Sequence, residues 1–137
     1  MVRVVLDINV LVSAFRNKGK SRSLLRMLME KYEIILSNQI LAELADVLSR
    51  DKFNVTNAQI DKFLSILVRY AIVVPVQSCS KIIIEDPDDD VILDTALCGK
   101  AEYIVSGDKH LLKIVRYRNV EILSVNDFLQ KIDKKQL

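Results

Sequence analysis

Five short apolar runs rich in β-branched residues punctuate the chain, at residues 2–6, 34–36, 72–76, 103–105 and 120–123. Each is too short for a stable helix and reads as a strand. The first is apolar at nearly every position, as a strand covered on both faces must be. The stretches between the runs change period. Leu24, Leu25, Leu28 and Met29 fall on one helical stripe, as do Ile40, Leu41, Leu44, Val47 and Leu48, and again Ile60, Phe63, Leu64 and Leu67. Ser21 and Ser37 stand where helix caps are needed, and Thr56 with Gln59 has the spacing of a capping box. A short helix over 10–15, one stopping near Gly99, a brief one burying Leu111, Leu112 and Val115, and a last one opening between Ser124 and Asp127 complete the set. Strands alternating with helices predict an α/β three-layer sandwich, with a central parallel sheet of four to five strands and helices on both faces. Pro75 places the third run at a sheet edge. With 137 residues, half of them hydrophobic, there is material for one domain over 1–137.

Twenty Lys and Arg stand against 18 Asp and Glu, so the net charge of +2 selects no partner. The distribution says more. Residues 10–29 carry no acid, but they hold Arg16, Lys18, Lys20, Arg22 and Arg26. Taken alone this is a solvated basic face; beside an acidic site it becomes a set of contacts to a nucleic-acid backbone. Cys79 and Cys98 lack the paired spacing of a disulfide framework or zinc site, and read as small apolar fillers in a reducing compartment. The strongest apolar run is far too short to span a bilayer, and no signal segment opens the chain. A soluble, cytoplasmic protein with no membrane partner is expected.

Against this balance, residues 85–94 (EDPDDDVILD) place six acids in ten positions. A helix start explains one or two of them, since Pro87 suits the first turn and an Asp can cap it. The surplus of mutually repelling charge points to a divalent cation. Other acids can join. Ligands of α/β sheets bind at the carboxyl ends of strands. Asp7 follows the first run directly and Asp108 follows the fourth by two residues, so both belong on that edge. Glu43 borders an apolar helical stripe. Asp7, Glu43, Asp90 and Asp108 can therefore meet. Asp94, one helical turn after Asp90, is a fifth candidate or a supporting acid, and Asp89 is the alternative if the register shifts by one. Each also has an ordinary structural role open to it: a turn, a cap or an exposed helix position. Asn9 and Ser106 are turn residues or orient a carboxylate or water, and His110 is a surface residue of a first turn. An oxygen-only ligand set suits Mg²⁺ or Mn²⁺ rather than zinc. The matching chemistry is phosphodiester hydrolysis by activated water, which needs no side-chain nucleophile.

With these residues in view, the chain resembles the PIN-domain ribonucleases. The matching pieces are Val4-Val5-Leu6-Asp7-Ile8-Asn9-Val10-Leu11-Val12-Ser13, Glu43 in its helix, Asp86-Pro87-Asp88-Asp89-Asp90, and Ile104-Val105-Ser106-Gly107-Asp108, in order along nearly the whole chain. The branch it is most similar to contains toxins of toxin–antitoxin systems related to VapC. The resemblance implies a PIN-like fold and a metal-dependent endoribonuclease acting on RNA. It implies ligands at Asp7, Glu43, Asp90 and Asp108, and support from Asn9 and Ser106. It also implies a homodimer and a cognate antitoxin protein. Ile8 departs from the family, which usually has Thr there.

Two other functions compete. A non-catalytic, Mg²⁺-binding receiver-like regulatory module would also gather acids at strand ends, but it needs a Lys after the last strand, where this chain has Ser124. A structure-specific nuclease of RNA maturation or DNA flaps usually carries added modules, for which 137 residues leave little room.

Overall fold

The computed structural model describes residues 1–75 and 87–135, with the side chains of 51, 87–90 and 134–135 outside the description. Cys79, Glu85 and Asp86 therefore fall outside it. The strands are β1 (Arg3–Leu6), β2 (Glu33–Ser37), β3 (Ala71–Val74), β4 (Tyr103–Val105), β5 (Arg116–Tyr117) and β6 (Val120–Leu123). The helices are α1 (Ile8–Arg16), α2 (Lys20–Lys31), α3 (Asn38–Leu48), α4 (Asn57–Tyr70), α5 (Pro87–Cys98), α6 (Lys109–Ile114) and α7 (Val125–Lys135). The strands form one sheet in the order β3-β2-β1-β4-β6-β5. All pairs are parallel except β5 with β6.

Five strands match the five apolar runs, and β3 lies at an edge as Pro75 required. β5 is the addition. It pairs antiparallel with β6 across the two-residue loop Arg118–Asn119, and Arg118 adopts φ 54°. Such tight loops favour glycine or asparagine at the positive-φ position, and an Arg there gives no warning of a hairpin. Val4, Val5, Leu6, Ile35, Leu36, Ile104 and Val105 are fully shielded in the middle of the sheet. Right-handed crossovers put α1 to α4 on one face and α5 on the other. Accordingly α2 packs on α1, β2 and α7, while α5 packs on β1, β2 and β4. Among the described residues no helix is long and apolar enough to cross a membrane.

Most helix starts follow their caps. Ser37 Oγ accepts from Ile40 N, and Thr56 and Gln59 form both halves of the capping box. Ser124 Oγ accepts from Asp127 N at the entry to α7. α2 differs from expectation: it begins at Lys20, with Gly19 rather than Ser21 in the cap position and no side-chain cap. Val115 also differs. It ends α6 at φ 65° and is 62% exposed, so the stripe expected to include it stops at Leu111 and the half-buried Leu112.

Candidate active site

The strand order places the site. From β1 the chain steps outward through β2 to β3, then returns across β1 to β4 on its other side. The direction reverses between β1 and β4, and the crevice at their carboxyl ends is where such sheets bind ligands. Asp7 leaves β1 at this point and its backbone N–H donates to Val105 O of β4 at 3.0 Å. Ser106 and Asp108 leave β4 beside it.

The buried polar residues among those described are Asp7, Ser37, Asp94, Thr95 and Ser106. They sit at the carboxyl ends of β1, β2 and β4 and on the helix that crosses them. Burying polar groups is unfavourable unless they are bonded, so this placement marks a built site rather than stray polarity. Ser106 is its hinge. Its Oγ donates to Asp7 Oδ2 at 2.6 Å and accepts from Asp108 N–H at 2.9 Å, holding the two acids in fixed relation. The first distance is that of a charge-assisted O–H···O⁻ bond. The other oxygen of Asp7 accepts from Ile8 N at 2.7 Å, and Asp108 Oδ1 accepts from His110 N at 2.8 Å. Both acids are therefore helix caps, of α1 and α6, and wall residues of the crevice at once. Capping a helix does not remove either acid from the cavity wall.

A cavity of about 340 Å³ opens here, lined by Asp7, Asn9, Glu43 and Asp108 together with Ile8, Val12 and Ile92. Glu43 reaches it from α3, half-buried. Asp94 is buried in α5 but does not line the cavity. Asp89 and Asp90 stand in the first turn of α5, with side chains outside the description. Ile92, on the same helix, reaches the wall.

The basic residues divide. Arg22 turns away from the acids: its Nε donates to Ala14 O at 2.7 Å and its Nη2 to Phe15 O, closing the end of α1. Arg22 and Arg26 line a separate apolar cavity with Phe15, Met29 and Phe63. Lys18 is exposed and lines none of the cavities described. Arg16 stacks over the Phe53 ring at 4.7 Å, and Phe53 is a wall of the acidic cavity. Two cations that sequence reasoning missed, Arg50 and Lys52, line that cavity directly. They follow α3 in what reads as an uninformative break; only their nearness to Glu43 along the chain could have drawn attention to them.

The donor set is entirely hard oxygen, three carboxylates and an amide, which fits Mg²⁺ or Mn²⁺ in kind. Among the described residues no group of three or more His, Cys, Asp or Glu is gathered tightly enough to hold an ion unaided. Mg²⁺ commonly binds through one or two carboxylates with water and substrate phosphate completing its shell, so a cage is not required.

Comparison with known proteins agrees with this geometry. A search of curated proteins returns no match. Among solved structures, the fold is similar to the crystal structure of VapBC2 from Rickettsia felis bound to a DNA fragment from its promoter, with a TM-score of 0.63 and 19% sequence identity over 88% of this chain and 98% of that one. The family model described as the PIN domain matches residues 3–110, from the first strand through Asp108 to the start of α6. The chain belongs to the PIN-domain family.

Proposed function

We propose that the protein is a Mg²⁺- or Mn²⁺-dependent endoribonuclease, and that it is the toxin of a toxin–antitoxin pair. The observation that carries the reading is the convergence of Asp7, Asn9, Glu43 and Asp108, from three separate segments, on one cavity at the reversal point of the sheet. Asp7, Glu43 and Asp108, with Asp90 completing the set, would hold the cation. When bound, such an ion supplies acidified water near neutral pH and neutralises charge on the leaving oxygen. The chain's own residues do the rest. Ser106 keeps Asp7 and Asp108 in register. Asn9 offers an amide to a water or phosphate oxygen at the cavity mouth. Arg50 and Lys52 on the wall, with Arg16 held on Phe53 behind them, attract and seat the phosphodiester backbone.

The toxin assignment draws on the similarity to the VapBC2 complex. An antitoxin segment and a second copy of the chain are the proposed partners. Exposed Ile66 and Tyr70, one turn apart on α4, support a protein-covered face.

Purified protein should cut single-stranded RNA with Mg²⁺ or Mn²⁺ and stop on addition of EDTA. Asp7→Asn, Glu43→Gln, Asp90→Asn and Asp108→Asn should each lower cleavage at least a hundredfold, equivalent to about 2.7 kcal/mol of barrier. Wild-type rates in Asp7→Asn and Asp108→Asn would overturn the reading.

A further inference from the structure

A second cavity, of about 430 Å³, adjoins the acidic one, and Asn9 lines both. Its walls differ in kind. Ser13, Ser21 and Ser124 supply hydroxyls, Asn126 an amide and Lys20 an ammonium around a floor that is mostly apolar, with Val10 and Val125, and none of its lining residues is acidic. Ser106, which fixes Asp7, lines it as well. Lys20 Nζ donates to Asn126 Oδ1 at 2.7 Å, tying α2 to α7 across the cavity. The partner is a neutral amide and no carboxylate among the described residues pairs with Lys20, so two ammonium hydrogens remain for another acceptor. An acid-free pocket that carries one ammonium and several hydroxyls, beside a carboxylate pocket, separates two tasks that one site cannot combine. Carboxylates repel a phosphate that no cation bridges, whereas hydroxyls and an ammonium bind it directly.

We infer that this second cavity is a phosphate subsite. It takes a backbone phosphate of the single-stranded RNA neighbouring the one placed among the carboxylates, and Lys20 is its anchoring charge. The strand would cross from one cavity to the other over Asn9. The inference rests on the nuclease reading for the identity of the strand, but its binding test does not require cleavage.

The test measures binding of a fluorescein-labelled single-stranded oligoribonucleotide by anisotropy, in EDTA. Lys20→Ala should raise Kd about tenfold. It should also flatten the slope of log K against log salt by about 0.7, the value for one lost contact to a single strand. Ser21→Glu should weaken binding similarly. Its new carboxylate falls in the first turn of α2, where an acid favours the helix, so its Tm should hold or rise. Loss of binding without loss of folding is thereby separated from damage. Lys62→Ala removes the same charge from the exposed side of α4 and should leave Kd unchanged. The inference is overturned if wild type does not bind the oligomer, if Lys20→Ala and Ser21→Glu bind within twofold of wild type, or if Lys62→Ala weakens binding as much as Lys20→Ala. A chain that binds RNA through Lys20 yet cuts nothing with Mn²⁺ overturns the nuclease reading and leaves the subsite standing.

Discussion

At the residue scale, Ser106 concentrates the most consequence in one hydroxyl. It is wholly buried, donates to one acid and accepts from the backbone of the next. Ser106→Ala leaves Asp7 Oδ2 without this donor and Asp108 N–H without this acceptor. A stability loss of about 1.5–3 kcal/mol is expected, because the acceptor is charged and buried. Cleavage should fall as well, while Ser106→Thr, which keeps the hydroxyl, should recover part of both. Chemical denaturation alongside RNA cleavage checks this, and a Ser106→Ala chain as stable as wild type would contradict it. Asp7, Ser106 and Asp108 were legible in sequence because strand ends can be read from short apolar runs, and the carboxyl-end rule then locates the residues just beyond them. Arg50 and Lys52 were not. Their arrival at the cavity depends on how the turn after α3 folds back, which no local pattern encodes.

At the element scale, the end of α5 shows where sequence reading is right about position and incomplete about cause. Gly99 does mark the stop, but the left-handed residue that closes the helix is Lys100, at φ 54°. Ala101 N bonds Ala96 O at 2.8 Å and Lys100 N bonds Leu97 O at 3.2 Å, the two bonds of a Schellman closure. Gly99 is needed for a different reason. A Cβ there would collide with Cγ2 of Ile35, which is fully buried in β2, and would lie 3.2 Å from Thr95 O. Gly99→Ala should therefore cost about 1–3 kcal/mol by overpacking, despite alanine's better helix propensity. Urea unfolding measures it, and an unchanged or higher midpoint would show that Ile35 can yield. The same region couples α3 to α5. Ile40 N donates to Ser37 Oγ at 3.2 Å, Ser37 lies 3.0 Å from Thr95 Oγ1, and Thr95 Oγ1 donates to Val91 O at 2.7 Å. Each hydroxyl has one hydrogen, so Ser37 is the donor to Thr95. The relay fixes the helix bearing Glu43 against the helix bearing Asp90. Ser37 was readable as a cap, but Thr95 carried no signal, because a mid-helix Thr is usually bonded only within its own helix.

At the scale of the whole molecule, the proposed ion binding would be linked to folding. A cation that binds the native crevice and not the unfolded chain stabilises the protein, by about 2.7 kcal/mol at a hundredfold excess over Kd. Mn²⁺ should raise the Tm of wild type, and the rise should shrink in Asp7→Asn and Asp108→Asn. Equal shifts in all three would place the ion elsewhere. The alkaline limit of stability has a separate origin. Burial, and then nearby Tyr103, pushes the Tyr32 phenol above its ordinary range. The hydrogen bond to Glu121, at 2.7 Å, raises the Lys131 ammonium. Both groups hold their protons more tightly folded than unfolded. Their contribution is complete below about pH 10 and is lost as pH climbs through the raised folded values. The Tm should fall above about pH 10, and less steeply in Lys131→Met. A flat profile to about pH 11 would remove both groups from the account. The parallel sheet followed from alternating runs and its edge at β3 from Pro75, whereas the strand order that reverses between β1 and β4 left no local signal, and the β5 hairpin was hidden because Arg118, not glycine or asparagine, takes the positive-φ position of its loop.

The proposed double duty of Asp7 and Asp108 narrows the routes by which a chain of this kind can drift. Where one oxygen starts a helix and its neighbour serves chemistry, selection for folding continues after selection for cleavage has stopped. A descendant that has given up cutting should therefore carry Asn or Ser at these two places far more readily than an aliphatic residue. Among relatives, silent forms would be betrayed by an amide or hydroxyl still guarding the helix entrances.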